Sequence, residues 1–97
     1  LNRVSVNTST YTVSKNDYYL GVDTTDTAVD IQLLNAAVLD SGQTYVVKDE
    51  GGNANNNNIT ILAPGAQTID GQNSVVLMSP HASIQIYCNG VDKFFIY

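Results

Sequence analysis

The chain has a single histidine, His81, which lies between two serines, Ser79 and Ser83. Serine and histidine can form a nucleophile and its base, so this stretch is the natural place to look for hydrolase chemistry. The G-x-S-x-G nucleophile motif is absent, and no strand-to-helix turn is predicted here. His81 follows Pro80 at a predicted turn, and an exposed or hydrogen-bonded loop histidine is the favoured interpretation. We therefore expect no catalytic residues and no enzymatic activity.

Metal binding is limited by the residue types available. Zinc sites use several Cys and His side chains, and the chain has only Cys88 and His81. Calcium is harder to dismiss, because Asp23–Asp26 and Asp49–Asn53 both offer oxygen ligands in predicted loops. Neither has the spacing of a helix-loop-helix calcium site, and Lys48 adds a positive charge, so solvated turns are favoured. Phosphate-loop and dinucleotide motifs are also absent, and we expect no metal and no cofactor.

Tyrosine supplies the remaining candidate chemistry. An exposed Tyr beside Asn, Asp or Gln suits carbohydrate binding, because the ring packs on the sugar and the amides bond its hydroxyls. The alternative, favoured for any single residue, is that the rings pack in strands or between subunits. The six tyrosines are Tyr11, Tyr18, Tyr19, Tyr45, Tyr87 and Tyr97.

Composition excludes several classes of partner. The 97 residues predict one domain, residues 1–97, with a formal charge of −5. The four cations are scattered along the chain, which argues against binding to nucleic acid or to an anionic membrane surface. No run of about 18 apolar residues occurs, so membrane insertion is not expected. The lone Cys88 excludes an internal disulfide and falls in an alternating apolar pattern, which predicts a buried free thiol.

The elements that must position these residues are short strands. Val29, Ile31 and Leu33 alternate with mostly polar neighbours, the pattern of a strand with one buried face. The polar stretch Lys48–Asn58 is rich in Gly and Asn, and predicts either a wide hairpin or a crossover between two sheets. Asn89-Gly90 predicts a two-residue hairpin turn near the end of the chain. Eight to ten such strands with almost no helix predict an antiparallel β-sandwich or small barrel, and we favour the jelly-roll-like β-sandwich.

Three segments follow one another at a distinctive spacing in the middle of the chain: Lys48-Asp49-Glu50, Gly52-Asn53-Ala54 and Asn57-Asn58-Ile59-Thr60-Ile61. With these as its most specific residues, most of the chain resembles a small β-module of phage and viral tail fibres and tail spikes, also found in bacterial fibre proteins. The resemblance is extended by Tyr11-Thr12-Val13, Asp17-Tyr18-Tyr19-Leu20, Val22-Asp23-Thr24, Ile31 with Leu33, Gly42-Gln43-Thr44-Tyr45-Val46-Val47 and Thr68-Ile69-Asp70-Gly71. The chain departs from such modules at His81-Ala82-Ser83, where they often have Tyr-Gly-Ser. Such modules also often have a Trp in the last strand, and in this chain Phe94 or Phe95 lies near that position.

The resemblance implies a homotrimeric fibre head or tip on a virion, or otherwise on a cell surface, that attaches to a host-cell receptor, either a protein or a glycan. We expect the receptor to meet loops at one end of the sandwich. The candidate receptor residues are Asp23, Thr24, Asp26, Asn53, Asn55, Asn56 and His81, and the candidate trimer contacts are Tyr18, Tyr45, Asn57 and Tyr97. Two alternatives stay open: a purely structural fibre or capsid-decoration module without a ligand, and the tip of a bacterial trimeric adhesin.

Overall fold

The computed structural model describes all 97 residues and contains ten short strands and one helical turn. The strands are β1 (Arg3–Val6), β2 (Thr10–Thr12), β3 (Tyr19–Val22), β4 (Val29–Gln32), β5 (Thr44–Asp49), β6 (Ile59–Leu62), β7 (Thr68–Ile69), β8 (Ser74–Leu77), β9 (Ser83–Cys88) and β10 (Lys93–Ile96). A single 3₁₀ turn spans Ala36–Val38. No helix has the length and apolar character needed to cross a bilayer.

Two sheets form the sandwich, which confirms the all-β prediction. The six-stranded sheet has the order β1-β3-β5-β9-β10-β7, and the four-stranded sheet has the order β2-β4-β6-β8. Up to β9 the chain changes sheet at every strand, so two strands that follow one another do not pair. Only β9 and β10 are joined directly as an antiparallel pair.

Strand direction differs from the antiparallel, jelly-roll-like prediction. Five of the eight strand pairs are parallel: β1–β3, β3–β5, β2–β4, β4–β6 and β10–β7. The three antiparallel pairs are β5–β9, β9–β10 and β6–β8. Four of the parallel pairs follow from the winding of the first six strands, because each strand returns to its own sheet after the chain has crossed to the other sheet, parallel to the strand two elements earlier. The first six strands thus coil like three rungs of a short solenoid.

The core lies between the sheets and follows the two-residue periodicity of the strands. In the four-stranded sheet, Val29 pairs with Ile59 and Ile31 pairs with Ile61, and all four side chains are fully buried. Apolar residues of the other sheet, including Leu20 and Tyr45, complete one continuous cluster. Full burial of each Val or Ile side chain stabilises the fold by roughly 1.5–3 kcal/mol. The conformational entropy lost when the short strands become ordered opposes this gain. Cys88 is also fully buried, as predicted.

Two connections settle alternatives that the sequence left open. The stretch from Glu50 to Asn58 is a crossover between the sheets, because β5 and β6 belong to different sheets. The β9–β10 connection is longer than the predicted two-residue turn. Asn89 Oδ1 accepts hydrogen bonds of 2.9–3.0 Å from the backbone N–H groups of Val91, Asp92 and Lys93 and so holds a wider loop.

Candidate functional site

The three loops that carry the candidate receptor residues meet at one end of the sandwich. They follow β3, follow β5 and precede β9, and they share an end because β3 and β5 are parallel while β9 is antiparallel to β5. Asn53 Nδ2 donates to Thr25 Oγ1 at 2.8 Å, and Asn57 Nδ2 donates to the Thr24 carbonyl at 2.9 Å. We call the surface formed by Asp23–Thr27, Gly51–Asn57 and Ser79–Ala82 the end-loop surface.

Asp49 holds this surface together from below. It is the last residue of β5, its side chain is fully buried, and it accepts three backbone hydrogen bonds. Oδ1 accepts from Gly52 N–H at 3.1 Å, and Oδ2 accepts from Ala54 N–H at 3.0 Å and His81 N–H at 2.9 Å. A buried carboxylate is costly unless such donors surround it, so Asp49 fixes the geometry of two loops at once.

His81 takes a backbone conformation that is uncommon for a residue with a side chain, with φ of 60°. Neighbouring groups stabilise it: its N–H donates to Asp49, its Nδ1 lies 3.1 Å from the Asp49 carbonyl, and Lys48 Nζ donates to its carbonyl. Its ring packs against Gly52, where an added Cβ would lie 2.8 Å from Nε2. Neither Ser79 nor Ser83 hydrogen-bonds the ring, so the side chains do not form a nucleophile–base pair.

The candidate receptor residues fall into three groups. Asp23, Asp26, Asn55, Asn56 and His81 are exposed. Asn53 is half-buried, and its amide also donates to the Gly51 carbonyl at 3.2 Å.

Thr24 is a correction, because its side chain is fully buried and cannot meet a receptor. Its Oγ1 is the one buried side-chain polar atom without a hydrogen-bond partner. The inward position follows from the chain reversing between the sheets directly after β3.

Two exposed carboxylates around this end, Asp23 and Glu50, are engaged by the protein itself. Asp23 Oδ1 accepts from the N–H and hydroxyl of Thr25 at 2.9 and 2.6 Å, and these bonds lower the pKa of Asp23. Glu50 accepts from Arg3, with Nε to Oε2 at 3.0 Å, and this bond lowers the pKa of Glu50. No three His, Cys, Asp or Glu side chains converge as metal ligands would. A groove of about 350 Å³ borders this region, lined by Arg3, Ser5, Val6, Asn7, Gly21, Asp23, Glu50 and Gly51.

The candidate trimer contacts are separated by the fold. Tyr45 is a correction: it faces inward from the central strand β5, is fully buried, and donates from its hydroxyl to the Ser14 carbonyl at 3.1 Å. Asn57 is half-buried and bonded within the chain, as described above. Tyr18 is half-buried, edge-on to Tyr19 with ring centroids 4.6 Å apart. Tyr97 alone is freely exposed.

Tyr97 belongs to an aromatic cluster that the sequence did not reveal. On the outer face of the six-stranded sheet, the Tyr87 ring lies 5.4 Å from both the Phe95 and Tyr97 rings, measured between centroids. The cluster depends on the register that pairs Tyr87 with Phe95. A two-residue turn at Asn89-Gly90 would instead place Asp92 opposite Tyr87 and direct Phe95 into the core.

No protein-family model matches the chain, and no curated protein shows significant similarity to it. The functional argument therefore rests on the end-loop surface, the aromatic cluster and the sequence resemblance.

Proposed function

We propose that the protein is a non-catalytic receptor-recognition module of a viral or phage fibre or tail spike. In this role it works as a homotrimer on the particle surface and attaches the particle to a host-cell receptor through the end-loop surface. The observation that carries the proposal is the combination of rigidity and exposure at that end. Asp49 fixes two of the loops, and Asn53 and Asn57 tie the third to them. Asp26, Asn55 and Asn56 meanwhile reach solvent with side chains that bond to nothing else in the protein.

This combination suits recognition for a physical reason. A loop that is already ordered loses little conformational entropy on binding, and free polar groups can then contribute their hydrogen bonds to the receptor. Exposed amides and carboxylates on two of these neighbouring loops can bind the hydroxyl groups of a glycan or the backbone of a protein. The fibre assignment and the trimer come from the sequence resemblance, and an exposed Tyr97 leaves one candidate contact for a neighbouring copy.

The test compares two matched double variants of the intact chain. Asp26→Ala/Asn55→Ala removes one carboxylate and one amide from the end-loop surface. Asn16→Ala/Asp40→Ala removes the same two groups from loops at the opposite end. All four residues are exposed, and their side chains make no hydrogen bonds, so both variants should fold.

Fluorescently labelled proteins would be measured on panels of intact bacterial and animal cells and on a glycan array. We expect wild-type protein to bind at least one cell type and the end-loop variant to bind at least tenfold more weakly, with the control variant unchanged. No binding by wild-type protein, or equal binding by both variants, would favour a purely structural module. Light scattering should give a mass near three times 10.4 kDa, and a monomer at all concentrations would contradict the homotrimer.

A further inference from the structure

The outer face of the six-stranded sheet carries an aromatic surface that shares no residue with the end-loop surface. Tyr87 on β9 and Phe95 on β10 are cross-strand partners, and Tyr97 follows β10 on the same face. Tyr87 is 37% exposed and Tyr97 is 57% exposed, while Phe95 is half-buried. We call these three rings and Gln85 the aromatic platform.

Gln85 gives the platform its polar group. It lies two residues before Tyr87 on β9, and its carbonyl accepts the Tyr97 N–H at 3.1 Å, which places it beside both tyrosines. Its side-chain amide is exposed and has no hydrogen-bond partner in the protein. One free amide, which offers two N–H donors and one acceptor oxygen, therefore lies at the edge of three aromatic rings.

We propose that the aromatic platform binds a neutral pyranose sugar. The face of an aromatic ring carries partial negative charge, and the C–H groups on one face of a pyranose carry partial positive charge, so the two surfaces attract as they exclude water. The Gln85 amide and the tyrosine hydroxyls can then bond the sugar hydroxyls at the rim. Binding sites for small polar ligands commonly combine apolar surface with a few such groups.

The charges around the platform favour a neutral sugar over a charged one. Lys93, the cation on β10, lies 3.7 Å from the Asp92 carboxylate, so its charge is partly balanced within the protein. Asp70 accepts the Ile96 N–H at 3.3 Å and keeps a negative charge next to β10. An acidic sugar would meet these carboxylates without gaining an unpaired cation from β10, whereas a neutral sugar needs no charged partner.

The platform is built for rigidity. Its strands pair with central β5 on one side and with β7 on the other, and the register places Thr44 and Val46 next to Tyr87 and Gln85. Rings held on a paired sheet have few rotamers to lose on binding. This inference goes beyond the proposed function, because a sugar can bind the sheet face whether or not the end loops bind a receptor.

The experiment is a titration of the ¹⁵N-labelled protein with neutral methyl glycosides of glucose, galactose, mannose and N-acetylglucosamine, and with methyl glucuronide as the acidic comparison. We expect amide shifts confined to the residues around Gln85, Tyr87 and Tyr97, with at least one neutral glycoside. Tyr97→Ala should weaken binding about tenfold, while Tyr97→Phe should keep most of it because the ring remains. Tyr19→Ala, an exposed aromatic on β3 two strands away from β9, is the matched control and should bind normally.

Three results would overturn the proposal. The first is that no neutral glycoside shifts the platform amides. The second is that sugars shift only the end-loop amides and that these shifts persist in Tyr97→Ala. This result would support the proposed function and contradict sugar binding at the aromatic platform. The third is a trimer that Tyr97→Ala dissociates, since a second copy would then cover the rings. If the end-loop variant loses cell attachment but keeps the sugar-induced shifts of the platform amides, the two sites bind their ligands independently.

Discussion

The substitution Asp49→Asn tests whether the buried carboxylate organises the end-loop surface. The substituted amide can keep its oxygen at the Oδ2 position and accept from Ala54 and His81. Its NH₂ group then faces the Gly52 N–H, a donor against a donor. The shape of the side chain is almost unchanged, so any loss of stability reports hydrogen bonding and charge.

The magnitude follows from these contacts. An unpaired Gly52 N–H costs about 1–3 kcal/mol. The two remaining bonds change from charge-assisted to neutral and each weaken by about 1 kcal/mol, partly offset because a neutral amide is cheaper to bury. We expect a net loss of about 2–4 kcal/mol in the free energy of unfolding. For a domain of this size that corresponds to a fall in Tm of roughly 10–25 °C.

Urea and thermal unfolding followed by circular dichroism would measure the loss, and amide hydrogen exchange would locate it. Exchange should accelerate most at Gly52, Ala54 and His81, the three residues whose N–H groups bond to Asp49. The control is Asp26→Asn, the same chemical change at an exposed position of the same end. It should stay within about 0.5 kcal/mol of wild type. Equal stability of the two variants would refute the role given to Asp49.

Three further predictions follow from the core and the turns. Burial raises the pKa of Tyr45 and Tyr11 to about 12, and the Asp17 carboxylate adds to the rise in both. Stability should therefore fall as pH increases from about 10, where an unfolded phenol ionises, through 12, and Tyr45→Phe should remove part of the late rise in absorbance at 295 nm. Gly90→Ala should destabilise by about 1–3 kcal/mol in urea unfolding, because φ is +75° and the new Cβ would lie 2.9 Å from Ser41 N. Gly21→Ala, whose Cβ lies nearest to the movable Glu50 carboxylate, should cost less, and a larger loss there would contradict this account. Cys88 should react with a thiol reagent only as fast as the protein unfolds, and rapid labelling of native protein would show that the core opens locally.

Much of the candidate site could be predicted because it follows from local sequence. The Gly- and Asn-rich composition of residues 50–58 marks a loop, and the β-rich stretches around it mark strands. Alternation along a strand also tells which side chains face inward, as at Ile59 and Ile61. These features depend on neighbouring residues in the chain, so no knowledge of the fold is needed to find them.

The rest depended on contacts between distant parts of the chain. Alternation is the same in parallel and antiparallel strands, so it cannot show that the chain coils between two sheets. The burial of Tyr45 follows from the central place of β5 in its sheet, and the burial of Thr24 from the reversal of the chain after β3. The three donors to Asp49 come from two separate loops, one of them 32 residues away.

The sequence by itself determined the class of fold, the positions of the strands and the loops that could meet a partner, because side-chain periodicity and turn chemistry are local. The tertiary structure decided the strand directions, the burial of a carboxylate under the end-loop surface and the aromatic platform. The platform exists because the loop after Asn89 sets the register of β9 against β10, and a shift of one residue in register moves a side chain to the opposite face of the sheet.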